Sequence, residues 1–313
     1  FISNEGGFNA GNASVSYYDF ATKNIRNKIF QDANARSLGD VLQSMAILEQ
    51  KAYLVLNNSN KIEVVNVEDF TVQNTISPFV APRYLLPVSP QKAYVSDLYA
   101  DWIFVLDLQS NTKVDSIYFK GWSEEMLLHD GKVFVTNPSF YDQAATDKVY
   151  VIDVANDQLV DSISVGKSPL SIQKDKNDKL WVLCEGHQNT GNFGGLYQID
   201  PTSLSVEKTF PFTNFTVSNR QVLSINPTKD TLYYLRKDIF CLPIATTDFT
   251  PTNLISAAGR DLYGMRVDPN SGNIWIGESG FFQQQGKAFL YNRMGTLQKE
   301  ITAGVGINNF YFY

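Results

Sequence analysis

Short runs of apolar residues, five or six positions long, alternate with polar turn sequences along the whole 313-residue chain. Clear examples are residues 103–107 (Ile-Phe-Val-Leu-Asp), 149–153 (Val-Tyr-Val-Ile-Asp) and 196–200 (Leu-Tyr-Gln-Ile-Asp). Such runs predict β-strands followed by turns, because a terminal Asp or Asn bonds to the backbone two residues on. Successive copies lie 41 to 49 residues apart. That interval holds four short strands with their turns and is typical of one propeller blade.

The third repeat shows the strands most clearly. An inner, a second, a third and an outer strand are predicted at residues 84–88, 92–97, 102–107 and 113–118. No segment has a clear amphipathic helix pattern, and residues 36–45 predict only a short helical turn before an inner strand.

The two ends of the chain predict a closed ring. Residues 1–4 read as a second strand with no first strand before it, and residues 307–313 read as an extra inner strand. Joining them completes one blade and removes an exposed sheet edge. We therefore predict an all-β fold, a seven-bladed β-propeller with ring closure by the C-terminal strand. It forms a single domain, residues 1–313, with blades at approximately 1–33 plus 307–313, 34–78, 79–119, 120–165, 166–214, 215–258 and 259–306.

Charge and composition exclude several partners. The formal net charge is −6 and the chain contains no dense run of Lys or Arg, so binding to nucleic acid is not expected. No apolar stretch approaches the roughly 18 residues of a membrane-spanning helix. The sequence starts at Phe1 rather than Met, and a processed form would have lost any signal peptide or lipid-anchor cysteine with the missing segment. Cys184 and Cys241 are expected to be two buried thiols, with a disulfide left open.

The repeat resembles a known group of bacterial propellers. Residues 149–166 resemble the YncE-like or YVTN repeats, and the more specific segments 11–19, 38–45, 82–84 and 283–286 resemble Bacteroidetes surface layer lipoproteins of the DUF5074 type. That branch includes propellers that capture vitamin B12 (cobalamin) and pass it to an outer-membrane transporter. The resemblance implies a lipid-anchored protein at the cell surface or outer membrane, with a corrinoid as ligand and a transporter as partner.

The sequence lacks the common catalytic motifs, so it gives no reason to predict an enzyme. The sequence has no HExxH, GxSxG, P-loop or CxxCH motif, and its only histidines are His129 and His187. We predict a protein that is not an enzyme and holds no cofactor and no metal. A calcium-dependent, lactonase-like hydrolase is the weaker alternative, with Asp40, residues 124–125 and Asn219 as candidate oxygen ligands.

The long loops of one face are the candidate binding surface. In a propeller, the loops between second and third strands and the links between blades emerge on the same face. Here they are rich in aromatic, amide and guanidinium groups, which suit a large, partly apolar, amide-bearing ligand or a carbohydrate. The alternative for any one ring is that it fills a gap between blades. The predicted ligand-binding residues are Phe8, Asn58, Arg83, Tyr99, Trp102, Trp122, Tyr141, His187, Gln188, Arg220, Tyr263, Phe281 and Phe282.

Taken together, the sequence predicts a non-catalytic, cell-surface propeller that captures a corrinoid for uptake. The main alternative is an adhesion module or scaffold that binds protein or glycan, since many unrelated functions share one fold.

Overall fold

The computed structural model describes residues 1–139, 144, 146–214 and 220–313. Within these residues, 28 β-strands form seven sheets of four antiparallel strands. The predicted seven-bladed β-propeller is confirmed. The third blade has its strands at Pro82–Pro87, Lys92–Asp97, Trp102–Asp107 and Thr112–Tyr118, close to the positions expected from the pattern.

The strands follow the chain blade by blade. The first three blades contain β1 (Ile2–Asn4), β2 (Ser14–Tyr18), β3 (Ile25–Arg26); β4 (Leu42–Leu48), β5 (Lys51–Leu56), β6 (Lys61–Asn66), β7 (Val72–Ile76); and β8 (Pro82–Pro87), β9 (Lys92–Asp97), β10 (Trp102–Asp107), β11 (Thr112–Tyr118). The fourth and fifth contain β12 (Met126–His129), β13 (Lys132–Asn137), β14 (Lys148–Asp153), β15 (Gln158–Ser164); and β16 (Pro169–Lys174), β17 (Leu180–Cys184), β18 (Gly195–Asp200), β19 (Ser205–Pro211). The last two contain β20 (Val222–Ile225), β21 (Thr231–Arg236), β22 (Asp238–Pro243), β23 (Thr252–Ile255); and β24 (Leu262–Val267), β25 (Ile274–Glu278), β26 (Lys287–Tyr291), β27 (Leu297–Thr302). The final strand, β28 (Ile307–Phe310), is the inner strand of the first blade.

Ring closure joins the two ends of the chain. Strand β28 pairs antiparallel with β1, with Ile2 opposite Phe310 and Ser3 opposite Asn309. The Ser3 hydroxyl also donates to Asn308 Oδ1 at 2.5 Å. The first blade therefore takes strands from both termini, as the sequence predicted, and its inner edge is paired within the ring.

The core lies between neighbouring blades. Residues 52–56 of β5 are fully buried on both faces, which explains why second strands read as continuous apolar runs rather than alternating ones. Tyr53 and Val55 pack against Ala93 and Val95 of the next blade. Each buried Val or Leu side chain contributes about 1.5–3 kcal/mol relative to an exposed one, so the blade interfaces supply most of the stability.

The helical expectation at residues 36–45 is wrong. The α-helix, α1, spans Ile29–Asn34 and buries Phe30 completely, whereas Leu42 already begins β4. Gly39 and Val41 both have positive φ, 143° and 55°, and this backbone cannot continue a right-handed helix. None of the helices in the described residues has the length and apolar character needed to cross a membrane.

The two ends of the sheets form two different faces. Because consecutive strands are antiparallel, their connections alternate between the ends of each blade. We call the end with the second-to-third loops and the interblade links the upper face. The opposite end, with the first-to-second and third-to-fourth turns, is the lower face.

Candidate functional site

A cavity of about 320 Å³ opens at the centre of the upper face. It is lined by residues from the interblade links and from the second-to-third loops, so several blades contribute to one pocket. Five predicted binding residues line it: Phe8, Arg83, Trp122, Arg220 and Tyr263. This group of lining residues is called the central pocket below.

A buried ion pair organises one side of the central pocket. Arg83, at the start of β8, binds both carboxylate oxygens of Glu124 through Nε at 2.8 Å and Nη2 at 2.7 Å. Its Nη1 donates to Gln43 Oε1 at 2.6 Å. The fork geometry of guanidinium matches a carboxylate in this bidentate arrangement and fixes both side chains. The Glu124 carboxylate is therefore fully paired with an arginine of the neighbouring blade.

Arg220 forms the other side, and it depends on ring closure. Its Nη1 donates to the Asn308 carbonyl of β28 at 3.1 Å, and its Nη2 donates to Tyr84 Oη at 3.1 Å. The guanidinium also lies over the Tyr263 ring, 5.5 Å from the centroid. The Tyr263 hydroxyl donates to Glu5 Oε2 at 2.8 Å. One hydrogen-bonded network thus connects the first, third and seventh blades.

Two further carboxyl groups, those of Glu5 and Glu125, are partly buried in this pocket. Burial raises the pKa of Glu125 to about 7, and the adjacent Glu124 adds to the rise. Hydrogen bonds to Glu125 Oε2 from the Ile172 amide, at 3.0 Å, and the Ser171 hydroxyl, at 2.8 Å, oppose it. Burial also raises the pKa of Glu5, against the charge of Arg220. The centre of the upper face is therefore polar and rich in acceptors.

Aromatic side chains surround the central pocket on the side of the third blade. Tyr99 is 61% exposed and meets the Trp122 ring edge-on at 5.7 Å. Trp102 lies outside the pocket lining and packs edge-on against Tyr118 at 5.3 Å. The rings of Tyr99 and Trp122 therefore form a rim beside the pocket, while Trp102 belongs to a separate exposed pair.

A second aromatic element stands beside the seventh blade. Phe281 and Phe282 both have left-handed backbone, with φ of 53° and 57°, a strained conformation for large side chains. Ser279 Oγ accepts from the Phe281 amide at 2.9 Å and holds this turn. Phe282 packs edge-on against Tyr263 at 5.0 Å, and Phe281 is 66% exposed. The turn thus supports the pocket wall with one ring and presents the other to solvent.

Other predicted residues have different surroundings. The Asn58 amide donates to Asn9 Oδ1 at 2.9 Å and to the Asp40 carboxylate, so it connects two loops. Gln188 is exposed at the start of a short 3₁₀ helix, Gln188–Thr190, and does not line the central pocket. Tyr141 lies outside the described residues.

His187 is buried in its loop rather than displayed. It is 4% exposed, and its two ring nitrogens have no hydrogen-bond partner in the part of the chain that the structure describes. Gly186 and Gly194 adopt positive φ, and a Cβ at either would meet backbone atoms at 2.1–2.4 Å. The glycines let the loop fold tightly over His187, which does not line the central pocket.

Several lining residues were missed from the sequence, among them Glu5, Gln43, Tyr84 and Gln221. A signal for Gln43, Tyr84 and Gln221 exists, because polar or aromatic residues recur near the start of otherwise apolar inner strands. The corresponding positions along the chain are Gln43, Tyr84, Glu125, Gln221, Tyr263 and Asn308. Inner strands line the axis of a propeller, so a side chain at that place faces the channel.

The described candidate calcium ligands have other partners. Glu124 binds Arg83, Glu125 accepts from Ser171 and the Ile172 amide, and Asp40 binds Asn9 and Asn58. Asn219 is outside the described residues. Within residues 1–139, 144, 146–214 and 220–313, no group of three or more His, Cys, Asp or Glu side chains could hold a metal ion. Cys184 and Cys241 are free thiols; Cys184 is buried as expected, whereas Cys241 is only partly buried, and desolvation raises the pKa of both.

Solved structures that share the fold are distant in sequence. A quinoprotein alcohol dehydrogenase-like protein from Bacteroides thetaiotaomicron superposes with a TM-score of 0.75 at 16% identity, covering 99% of this chain and 77% of the other. The Kuenenia stuttgartiensis hydrazine synthase gives 0.67 at 13% identity, with coverages of 83% and 85%. The computationally designed Ika8 protein gives 0.60 at 11% identity, with coverages of 88% and 79%. At such identities the similarity shows the fold alone, and this fold occurs in proteins of unrelated description.

Sequence comparison gives the family directly. No curated protein sequence matches the chain. A family model described as a domain of unknown function, DUF5074, matches residues 1–313. The chain therefore belongs to the DUF5074 family.

Proposed function

We propose that this chain is a non-catalytic propeller, exported and lipid-anchored at the cell surface or outer membrane, that captures a corrinoid on its upper face for delivery to an outer-membrane transporter. The observation that carries the proposal is a polar central pocket with an exposed aromatic rim. Tyr99 and Trp122 offer apolar faces beside hydrogen-bonding groups, a combination that suits a large ligand with an apolar body and peripheral amides.

The size of the pocket defines how such a ligand would bind. A cavity of about 320 Å³ is smaller than a whole corrinoid. The macrocycle would therefore lie across the rim, against Tyr99, Trp122 and Phe8, while peripheral polar groups enter the pocket. Phe8 is 71% exposed, and burying such rings against a ligand supplies affinity at low entropic cost.

The absence of a catalytic activity is part of the proposal. The polar groups that line the pocket stabilise one another, as in the pair of Arg83 with Glu124 and the bond from Tyr263 to Glu5. The arrangement favours tight, preorganised binding over chemical turnover.

Isothermal titration calorimetry with cyanocobalamin tests the proposal. We expect saturable binding and co-elution of the coloured ligand with the protein in gel filtration. Loss of affinity in Trp122→Ala, with an unchanged melting temperature, would assign the heat to the upper face. No heat and no co-elution at micromolar concentrations would remove the corrinoid assignment.

An adhesion or scaffold function is the second candidate, supported by a different observation. The exposed rings of Trp102 and Tyr118 lie outside the central pocket and face solvent. Exposed aromatic pairs of this kind stack on sugar rings. A glycan array tests this candidate, and specific glycan binding that Trp102→Ala abolishes would support it. A blank array together with tight corrinoid binding would count against it.

A further inference from the structure

The central pocket contains more acid than base. Glu5, Glu124, Glu125 and Glu185 line it, against the two guanidinium groups of Arg83 and Arg220. Glu124 is matched by Arg83 in a bidentate pair. A third guanidinium, that of Arg236, interacts with Glu185 but does not line the pocket. The two other carboxyl groups are those of Glu5 and Glu125; Arg220 favours the charged form of both, and Arg83 adds a smaller contribution at Glu5.

A neutral acceptor in the same wall is also unsatisfied. Gln221 is 4% exposed and lines the pocket, and its Oε1 has no hydrogen-bond partner among the described residues. A buried acceptor without a donor costs about 1–3 kcal/mol, so native proteins rarely keep one without a reason. A ligand that brings N–H donors into the pocket would satisfy it.

We propose that the central pocket binds a positively charged nitrogen group, an alkylammonium, with Glu125 and Glu5 as counter-ions and Gln221 Oε1 as a neutral acceptor. This site goes beyond corrinoid capture, because a neutral amide gains no charge pairing from a carboxylate, whereas an ammonium does. The ammonium has two sources of the same chemistry, a small free amine or a lysine side chain presented by a partner.

The groups around Glu125 determine whether the protein releases a proton when the ammonium binds. Glu124 and Tyr84 face it with negative or neutral oxygens, Arg220 with a positive charge, and Ser171 with a hydroxyl donor. An added cation favours the charged carboxylate and lowers the pKa of Glu125 from about 7. Near pH 7 the protein would then release a proton as the ammonium binds. Calorimetry in buffers of different ionisation enthalpy detects that proton.

Three probes of similar shape and different charge test the proposal: benzylammonium, benzamide and benzoate. Each carries the same ring, which the aromatic rim accepts equally. We expect benzylammonium to bind at least about tenfold more tightly than benzamide, with proton release, and benzoate not to bind. Equal or tighter binding of benzamide or benzoate, or no saturable binding of benzylammonium at millimolar concentrations, would overturn the proposal.

Variants place the probe in the pocket. Glu125→Gln keeps the shape and an acceptor for Ser171 and the Ile172 amide, and should abolish the preference for benzylammonium over benzamide. Glu68→Gln, an exposed acid of the lower face, should leave that preference unchanged. Should Glu125→Gln fail to fold, Gln221→Met removes the neutral acceptor and should weaken both N–H donors, benzylammonium and benzamide; unchanged affinity for benzylammonium in that variant would contradict the assignment. Equal effects of Glu125→Gln and Glu68→Gln would contradict the assignment.

Two further comparisons identify the source of the ammonium and separate the ammonium site from the corrinoid proposal. A lysine-bearing peptide that binds more tightly than benzylammonium points to a protein partner, and the reverse points to a small amine; both require the same pocket. Cyanocobalamin binding without benzylammonium binding would sink only the ammonium site. Benzylammonium binding without cyanocobalamin binding would sink only the corrinoid proposal.

Discussion

The two faces of the propeller use acidic side chains in opposite ways. On the lower face, the carboxylates of Asp19, Asp107 and Asp200 accept backbone N–H groups two and three residues further on. Backbone hydrogen bonds lower the pKa of Asp19 and Asp107. Lys179 and then the turn amides lower that of Asp200 to about 2. These acids are charged, partly exposed and hydrogen-bonded by their own turns.

On the upper face the acids lie in the central pocket, and their partners are far away in sequence. Burial raises the pKa of Glu5 and Glu125, and their neighbours come from other blades or from the other end of the chain. The difference indicates that the lower face is built from local turn chemistry, whereas the upper face keeps carboxyl groups in a central pocket at a cost in stability. Proteins retain such costs chiefly where they bind or react.

The largest expected effect comes from breaking the buried ion pair. Arg83→Met leaves Glu124 without its partner, and the free energy of unfolding should fall by about 3–5 kcal/mol. Lys179→Met removes an exposed pair with Asp200 and Glu207 on the lower side of a blade and should change stability far less. Urea denaturation measures both. Equal losses would show that the two faces do not differ in the cost of a charge.

The pH dependence of stability sharpens the comparison next. The folded pKa of Glu125, about 7, lies above its ordinary 4.5, so the folded chain holds a proton that the unfolded chain releases. The stabilisation of the folded chain by this bound proton is complete below pH 4.5 and is lost as the pH rises through 7. Relative to the natural protein, the free energy of unfolding of Glu125→Gln should rise between pH 4.5 and 7. Above pH 7 the difference should be on the order of 3 kcal/mol. Urea unfolding at several pH values measures the gain, and a constant difference would contradict it.

Ligand affinity separates the faces directly. Tyr99→Ala removes an exposed ring beside the central pocket and should weaken cyanocobalamin binding by about 1–3 kcal/mol. Phe20 is an exposed ring on a lower-face turn and serves as the matched control. Phe20→Ala should leave the affinity unchanged. Calorimetry measures both, and equal losses would mean that the ligand does not use the upper face.

The fold was more predictable than the pocket, because the fold depends on contacts between residues close in sequence and the pocket on contacts between residues far apart. Turn residues such as Asp107 act within their own few residues, so the blade period and ring closure can be seen in the sequence. Arg83, Trp122 and Tyr263 were found because they occur in loops or links of unusual composition. Glu5 was missed because its contact with Tyr263 joins positions 258 residues apart and exists only after the ring closes.

Burial of individual loop residues was equally hard to predict. Trp102 and Tyr99 occur in the same loop region, yet only Tyr99 packs against a residue that lines the pocket. His187 was predicted as a ligand contact because it lies in a glycine-rich loop. The conformations of Gly186 and Gly194 instead close that loop over the ring. Such details depend on packing between segments, which composition does not encode.

The smallest effect tests whether the lower face is as local as proposed. Asn292 Oδ1 accepts the amides of Met294 at 3.0 Å and Thr296 at 2.9 Å in an exposed turn of the seventh blade. Asn292→Ala should lower the free energy of unfolding by only about 0.5–1 kcal/mol, because water replaces the lost acceptor. Asn292→Asp should keep the turn at neutral pH and lose that stability as the pH falls, since the turn amides favour the charged form. Urea unfolding at two pH values measures both. A change in cyanocobalamin affinity in either variant would show that the faces are coupled, and the contrast between a local lower face and a long-range upper face would then fail.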